Sequence, residues 1–152
     1  MHDVKERALK LLKKRDKTEH EIKETLSKDG YDEIQIEETI EYLKNLRYID
    51  DYEYALRFIE ISMDKNRGPL RITKELAVKG ISSDVIEDAL YERMSGQWEW
   101  DTARSIADGI KSKYPSLSEE KLLAKIVNKL SYEGFSEEVI SDVAEDFYSE
   151  NL

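Results

Sequence analysis

The chain has 152 residues, of which 39% are hydrophobic and 38% are charged, and its net charge is −10. This acidic balance argues against a protein that coats duplex DNA unaided, because Lys and Arg side chains that neutralise phosphates supply most nonspecific affinity. Cysteine is absent, the charged N-terminus does not have the pattern of a signal peptide, and no apolar run approaches the roughly 20 residues of a membrane span, so we expect a cytoplasmic protein.

One spacing pattern occurs three times along the chain. An apolar residue is followed by another four positions later, by Gly after four more, and at once by a further apolar residue. Apolar residues four apart share a helix face, and Gly readily adopts the left-handed conformation that ends a helix. The copies are Ile22, Leu26, Gly30 and Tyr31; Ile72, Leu76, Gly80 and Ile81; and Ile126, Leu130, Gly134 and Phe135. We expect Tyr31, Ile81 and Phe135 to be buried.

Residues 1–49 form the first predicted repeat, which consists of three helices. A first helix contains Ala8, and Thr18 with Glu21 has the pattern of a capping box at the start of a second. Asp32, just after the glycine corner, is placed to cap the third helix. The sequence therefore predicts a helix, a connection, a second helix, a glycine corner and a third helix.

Residues 50–97 form the second predicted repeat, with the same three parts. Its first helix contains Ala55, and Gly68 followed by Pro69 is typical of a stop and a new helix start. Either Ser82 or Ser83 is placed to cap the helix after the corner.

Residues 98–152 form the third predicted repeat. A first helix contains Ala103, Ser116 with Glu119 suggests another capping box, and Ser136 is placed to cap the last helix. This repeat is the most acidic part of the chain, with 6 basic and 12 acidic side chains from residue 99 onward.

Successive copies of the pattern lie 50 and 54 residues apart, close to the range of repeat architectures. Units of about 50 residues bury little surface alone, so we expect neighbours to share their cores. The sequence therefore predicts an all-α protein, made of three tandem three-helix repeats in an elongated, curved array.

Three segments carry a resemblance to a known family. The segment from Tyr48 to Ala55 reads Tyr-Ile-Asp-Asp-Tyr-Glu-Tyr-Ala and resembles the signature that opens the middle repeat of the RecX family of recombination regulators. The segment from Arg67 to Ile81 is also similar to that repeat. The closing motif of the family resembles a third set of residues: Lys125, Ile126, Leu130, Gly134, Phe135 and Ile140.

This resemblance implies a regulator of RecA in DNA repair, recombination and the SOS response. Members of the family bind the RecA filament on single-stranded DNA, lie in its groove, and inhibit strand exchange and ATP hydrolysis. A long repeat surface suits contact with several subunits of a filament. We expect a monomer without a cofactor, whose contact with nucleic acid is weak or indirect.

Four cations around the Gly-Pro helix start are the first candidate site for partner binding. They are Arg67, Arg71, Lys74 and Lys79. Spacing alone favours a solvated helix face, with Glu75 as a local partner. The resemblance favours contact with an acidic surface of RecA or with DNA phosphate, each cation acting as a point contact.

A second basic patch lies at the end of the first predicted helix. Its members are Lys10, Lys13, Lys14, Arg15 and Lys17. Cations there complement the helix dipole, which is a sufficient structural reason for them. If the patch binds nucleic acid instead, binding will be strongly salt dependent.

Residues suited to catalysis or metal binding have simpler explanations in this sequence. Asp50 and Asp51 precede a helix, where aspartate is a preferred cap, and His2 and His20 are isolated from other ligands. Phosphate-loop, dinucleotide-binding and serine-elbow motifs are also missing from the sequence. We therefore expect neither an enzyme nor a metal site.

Trp98 and Trp100 flank Glu99 where the second and third predicted repeats meet. Residues two apart face different sides of a helix, so we expect one ring to pack at the repeat junction and the other to be partly exposed. The exposed ring has two functional alternatives, anchoring a partner or stacking on a base.

The leading hypothesis is a regulator that binds RecA or its filament on single-stranded DNA. The alternatives are a DNA-binding module of helix-turn-helix type and a helical scaffold for some other protein. The DNA-binding alternative requires tight, salt-dependent binding without RecA, whereas the scaffold alternative requires no effect on RecA at all.

Overall fold

The computed structural model describes residues 3–150, with the backbone alone at position 150. Within that range the chain forms nine helices and no strand, which confirms the predicted all-α class. The helices are α1 Val4–Lys14, α2 Glu19–Lys28, α3 Glu33–Asn45, α4 Asp51–Asp64, α5 Pro69–Val78, α6 Ser83–Arg93, α7 Gly96–Lys113, α8 Glu119–Glu133 and α9 Glu137–Glu150. None of these helices combines the length and the apolar character that crossing a bilayer requires.

The helices belong to two compact units. The first unit contains the described residues up to 58 together with 75–89, and the second contains residues 59–74 and the described residues from 90 onward. Helices α4, α5 and α6 each contribute residues to both units. The repeat boundaries after residues 49 and 97, and the curvature of the array, stay predictions.

Helices α1, α2 and α3 enclose the core of the first unit. Its apolar side chains recur every three or four positions, so that one face of each helix turns inward. The buried members are Ala8, Leu11, Ile22, Leu26, Tyr31, Ile36, Ile40, Leu43 and Ile49. Tyr31 therefore has the buried position that the repeat pattern predicted.

Helices α7, α8 and α9 enclose the core of the second unit in the same way. The buried members are Ala103, Ala107, Leu122, Ile126, Leu130, Phe135, Val139, Val143 and Phe147. Phe135 is only 1% exposed, and Ile81 in the first unit is 4% exposed, so the predictions for both residues are confirmed.

The three predicted glycine corners have the expected backbone. Gly30, Gly80 and Gly134 have φ angles of +95°, +84° and +90°, in the left-handed region. After each corner, the next N–H donates to a carbonyl five positions back, which satisfies a free carbonyl at the helix end. The three bonds run from Tyr31 to Leu26 at 3.2 Å, from Ile81 to Leu76 at 3.2 Å and from Phe135 to Leu130 at 3.0 Å.

Most predicted helix starts are also confirmed. Thr18 Oγ1 accepts from the Glu21 N–H at 3.2 Å, while Glu21 Oε1 accepts from the Thr18 N–H at 3.0 Å, which completes the capping box. Pro69 is the first residue of α5. Three further caps accept an N–H three positions ahead: Asp32 at 2.8 Å, Ser82 at 3.4 Å and Ser136 at 3.3 Å.

The predicted capping box of Ser116 and Glu119 is wrong. Ser116 lies in a turn that is closed by the Leu117 N–H donating to the Tyr114 carbonyl at 3.3 Å. Helix α8 is capped instead by Ser118, whose hydroxyl accepts the Lys121 N–H at 3.3 Å. Glu119 is then the first helical residue rather than the third, so it cannot close a box with Ser116.

Candidate partner-binding surfaces

The two ends of α5 hold the four cations of the first candidate site. Arg67 precedes the helix, and its N–H donates to the Ser62 carbonyl at 3.1 Å, which closes the end of α4. Arg71 and Lys74 lie one turn apart on α5, and Lys79 follows its last residue. Arg67, Arg71 and Lys74 belong to the second unit, whereas Lys79 belongs to the first.

Arg71 is held by its own unit. Its Nη1 lies 3.2 Å from Glu133 Oε1, and its guanidinium lies 5.4 Å from the centre of the Tyr132 ring. The side chains of Arg71 and Glu133 are only 25% and 11% exposed, so water screens their attraction less than at an open surface. The main contacts of Arg71 are therefore structural ones within its own unit.

Lys79 is held in a similar way within the first unit. Its Nζ lies 3.9 Å from Glu21 Oε2 and within 6 Å of two aromatic ring centres, those of Tyr54 at 5.8 Å and Phe58 at 5.9 Å. Its backbone carbonyl accepts the Thr18 hydroxyl at 2.7 Å. Both the charge and the backbone of Lys79 therefore serve the fold.

The other two cations are available to a partner. Lys74 is exposed and Arg67 is half-buried, and neither has a carboxylate within ion-pair distance in the part of the chain that the structure describes. The structure thus divides the predicted site into two anchored residues and two open ones. The roles of all four in binding stay a prediction.

Two contacts with the same geometry, which we call junctions, place the start of a helix against a glycine corner. They involve the starts of α2 and α5. In the first junction, the start of α2 lies against the corner at Gly80, where an added Cβ would meet the side chain of His20. In the second junction, the start of α5 lies against the corner at Gly134, where an added Cβ would meet the backbone of Arg71. Each junction lies within one unit.

The second junction is joined by backbone groups. The Gly68 N–H donates to the Glu133 carbonyl at 2.8 Å, and the Leu70 N–H donates to the Gly134 carbonyl at 2.8 Å. A Cβ at Gly68 would meet the backbone of Gly134 and Phe135, so only Gly fits this approach. The Gly-Pro start therefore serves docking as well as helix initiation.

The second basic patch lies around the end of α1. Lys10, Lys13, Lys14 and Arg15 are exposed, and Lys17 is half-buried. Lys13 and Lys14 lie in the last turn, where a cation complements the helix dipole. Arg15 lies 3.6 Å from Glu21. Nucleic-acid binding by this patch stays a prediction.

Asp50 and Asp51 have different roles. Asp50 Oδ1 accepts the Glu53 N–H at 3.1 Å, as the predicted cap of α4. Asp51 Oδ1 instead accepts the Glu19 N–H at 3.0 Å, at the start of α2. Burial raises the pKa of Asp51, and the nearby Glu19 carboxylate adds to the rise. The same Glu19 carboxylate, 3.1 Å from Lys44 Nζ, raises the pKa of Lys44 by hydrogen bonding.

The described residues contain no group of three or more side chains that could hold a metal ion. His20 lies 3.6 Å from Glu24 on the surface of α2, and His2 lies outside the described residues.

The two tryptophans have different surroundings, as the prediction required, although the prediction overlooked the residue between them. Both are half-buried: Trp98 packs on the core of α7, α8 and α9, and Trp100 lies 5.9 Å from the Arg104 guanidinium. The buried residue is Glu99 between them, which accepts the Ser136 N–H at 2.8 Å at the start of α9. No spacing signal in the sequence pointed to Glu99, because its partner lies 37 positions away.

Three-helix groups that are joined by glycine corners define a helical-repeat protein. Comparison with known families identifies which one. Residues 5–43 match the model of the first three-helix domain of RecX, and residues 50–90 match the model of the second. The chain therefore belongs to the RecX family.

Individual relatives agree with this assignment. The regulatory protein RecX of Vibrio vulnificus is 35% identical over 144 residues, which cover 92% of this chain and 90% of that protein. The regulatory protein RecX of Geobacillus thermodenitrificans is 33% identical over 142 residues, which cover 93% of this chain and 52% of that protein. The crystal structure of RecX from Lactobacillus salivarius matches with a TM-score of 0.87 at 26% identity, over 95% of this chain and 94% of that one.

Proposed function

We propose that this regulatory protein binds RecA, in the filament that RecA forms on single-stranded DNA, and restrains its recombinase and ATPase activities in the cytoplasm without catalysis of its own. The observation that carries the proposal is the family membership, supported by two RecX domain models across residues 5–90. RecA enters as the partner that the family resemblance implies.

The open cations at α5 are the proposed contact. Lys74 and Arg67 have no acidic neighbour to neutralise them within the described residues, and Arg71 is fixed beside them by Glu133. A cation without an internal partner loses no native ion pair when it binds an external carboxylate. We therefore assign the first contact with RecA to Arg67 and Lys74, with Arg71 holding this surface of the second unit in place.

The test is the steady-state ATPase of the cognate RecA on single-stranded DNA, with the protein titrated from far below to above the RecA concentration. Inhibition at small ratios means action on filament ends or growth, whereas inhibition only near equal amounts means coating of the filament. Absence of any effect would reject RecA as the partner and favour a scaffold for another protein.

A double charge reversal locates the contact. Arg67→Glu with Lys74→Glu is expected to weaken inhibition about tenfold, since two charge pairs are lost and each is worth up to about 1 kcal/mol at a surface. Lys28→Glu with Lys121→Glu is the matched control, because both lysines are exposed and the change in net charge is the same. Equal loss in the two variants would mean that net charge, rather than the α5 surface, determines binding.

A further inference from the structure

The first unit has an open groove that neither junction uses. It has a volume of about 840 Å³ and lies between α1, α4 and the connection from α3 to α4. Three tyrosines line it, Tyr42, Tyr48 and Tyr54, and half-buried leucines of α1 extend its apolar surface. Its volume is in the range of sites that bind small molecules or a few side chains of a peptide.

Arg47, on the wall of this groove, has a backbone that Arg rarely adopts. Its φ angle is +59°, in the left-handed region. Its N–H donates to the Lys44 carbonyl at 3.0 Å, and the next N–H, of Tyr48, donates to the Leu43 carbonyl at 2.9 Å. This is the same helix ending as at the glycine corners. The other left-handed positions among the described residues are Gly30, Asn66, Gly80 and Gly134.

The side chain of Arg47 makes no contact that would stabilise the fold and offset this unfavourable backbone conformation. It is exposed, and it has no ion pair or hydrogen bond with any residue that the structure describes. A residue that is held in an unfavourable backbone conformation without a structural partner points to a functional requirement for its side chain.

Positive charge is in slight excess in the groove, whose lining has four cations and three carboxylates, Glu53 among them. Arg57 is neutralised by Asp16 at 2.9 Å, and Asp50 caps α4. Three lining cations, Lys13, Lys17 and Arg47, have no carboxylate partner within residues 3–150. Although the net charge of the chain is −10, this local excess favours an acidic ligand in the groove.

The aromatic side chains give the groove a second binding property. Tyr48 is 56% exposed and Tyr42 is 38% exposed, so both rings present contact surface along the groove. Tyrosine supplies a rigid contact surface at low cost in conformational entropy, and it is enriched in the residues that dominate interface energies.

We propose that this groove binds an extended acidic segment of a protein partner, with an apolar or aromatic side chain between its carboxylates. The apolar side chain lies against Tyr42 and Tyr48, while the carboxylates pair with Arg47 and with the lysines at the end of α1. This proposal goes beyond the one for RecA, because it does not depend on the identity of the partner.

A peptide fits better than a nucleic-acid strand. A strand carries one phosphate per nucleotide at a regular spacing, so its phosphates cannot be restricted to the lining cations. Asp16, Asp50 and Glu53 also line the groove and would repel a phosphate beside them. A peptide avoids both costs by placing its carboxylates only where the cations are.

The test uses a phage-displayed library of random dodecapeptides, selected on the wild-type protein. The expected result is enrichment of Asp and Glu around Leu, Phe or Tyr, followed by binding of the enriched synthetic peptides in solution. Enrichment of peptides that are not acidic, or no enrichment, would overturn the proposal. Oligothymidine binding that depends on Arg47, without acidic peptides, would overturn it in favour of nucleic acid.

Arg47→Gly separates a functional role from a structural one. It is expected to weaken peptide binding about tenfold while raising the melting temperature by about 2–4 °C, since Gly adopts the left-handed conformation without strain. Lys28→Ala, which removes an exposed cation outside the groove, is expected to leave peptide binding unchanged. A lower melting temperature for Arg47→Gly, or unchanged peptide binding, would show that the residue serves the fold instead.

Discussion

The two junctions place equivalent helix starts against equivalent glycine corners, but they use different atoms to do so. At the first, the Thr18 hydroxyl donates to the Lys79 carbonyl; at the second, the Gly68 N–H donates to the Glu133 carbonyl. The next position differs as well. Glu19 has an N–H that Asp51 accepts, whereas Pro69 has no N–H to satisfy.

The ion pairs of the two junctions have opposite polarity. Glu21 on the helix start pairs with Lys79 on the corner in the first, and Arg71 on the start pairs with Glu133 on the corner in the second. One backbone arrangement is therefore compatible with either sign, provided that the two sides are complementary. The geometry of both junctions requires Gly at the corner. The charges, in contrast, determine which helix start is complementary to which corner.

The largest expected effect comes from adding a methyl group at the corners. Gly134→Ala should cost about 3 kcal/mol or more, because the left-handed conformation and a clash with the Arg71 backbone add together. Gly80→Ala should cost nearly as much, since the nearest obstacle there is the Cβ of His20, whose position is fixed by the backbone of α2. Gly30→Ala should cost only about 1–2 kcal/mol, because nothing lies near its added Cβ.

Denaturant unfolding of the three alanine variants checks this order. His20→Ala is expected to rescue Gly80→Ala in part, since it removes the ring but keeps its own Cβ. Equal losses at all three corners would mean that backbone conformation alone, rather than close docking, makes Gly necessary.

Thr18→Val should have the next largest effect, about 2 kcal/mol. The valine keeps the shape but loses the cap of α2, and it leaves the Lys79 carbonyl without its donor. Thr18→Ser keeps the hydroxyl and is the control, with an expected loss below about 1 kcal/mol. Thermal unfolding measures both variants, and similar melting temperatures for the two would contradict the role given to the hydroxyl.

The charge pairs should contribute less. A double-mutant cycle with Arg71→Met and Glu133→Gln is expected to give a coupling of about 1 kcal/mol, because the pair is short and mostly buried. The cycle with Lys79→Met and Glu21→Gln should give less than about 0.5 kcal/mol, since 3.9 Å is near the limit for an ion pair. A coupling energy that is larger for Lys79 and Glu21 than for Arg71 and Glu133 would contradict this order.

Asp51→Asn should have the smallest effect, and its size depends on pH. Because the native pKa of Asp51 is raised, the folded protein binds this proton more tightly than the unfolded chain does. The contribution of Asp51 to stability is therefore lost as the pH rises through its native pKa, and the charged form carries a desolvation cost above that. Asn keeps the acceptor for Glu19 without the charge.

The variant is thus expected to be more stable than the wild type at pH 7, by less than about 1 kcal/mol, with the difference shrinking as the pH falls. Melting temperatures between pH 4 and 7 test this. Asp50→Asn is the control for a simple cap. If the stability difference between Asp51→Asn and the wild type grows toward low pH, the pKa of Asp51 is shifted in the opposite direction.

The parts of the fold that sequence could predict are local ones. The corners at Gly30, Gly80 and Gly134 follow from a ten-residue pattern, and the Thr18 box follows from four residues, so a short window of sequence is sufficient to predict both. The Ser116 box failed because a turn moved the cap of α8 two residues further along, to Ser118.

The parts that sequence could not predict depend on distant partners. Arg71 and Glu133 are 62 positions apart, and Thr18 and Lys79 are 61 apart. Because no local rule pairs such residues, the four cations of α5 looked equivalent until the structure showed that two of them are held by their own fold. The sequence also gave no indication of a role for Arg47, because a left-handed backbone at a basic residue has no signal in the composition.

The opposite polarities of the two junctions have a consequence for tandem duplication. The middle group of helices carries a basic residue on both sides, Arg71 at its helix start and Lys79 at its corner. The first group carries Glu21 and Asp29 at the same two places, both acidic. A copy of either of these two groups, inserted beside its parent, would place like charges together at the new joint. The third group carries Lys125 and Glu133 at the same two places, so this charge argument against self-docking applies only to the first and middle groups.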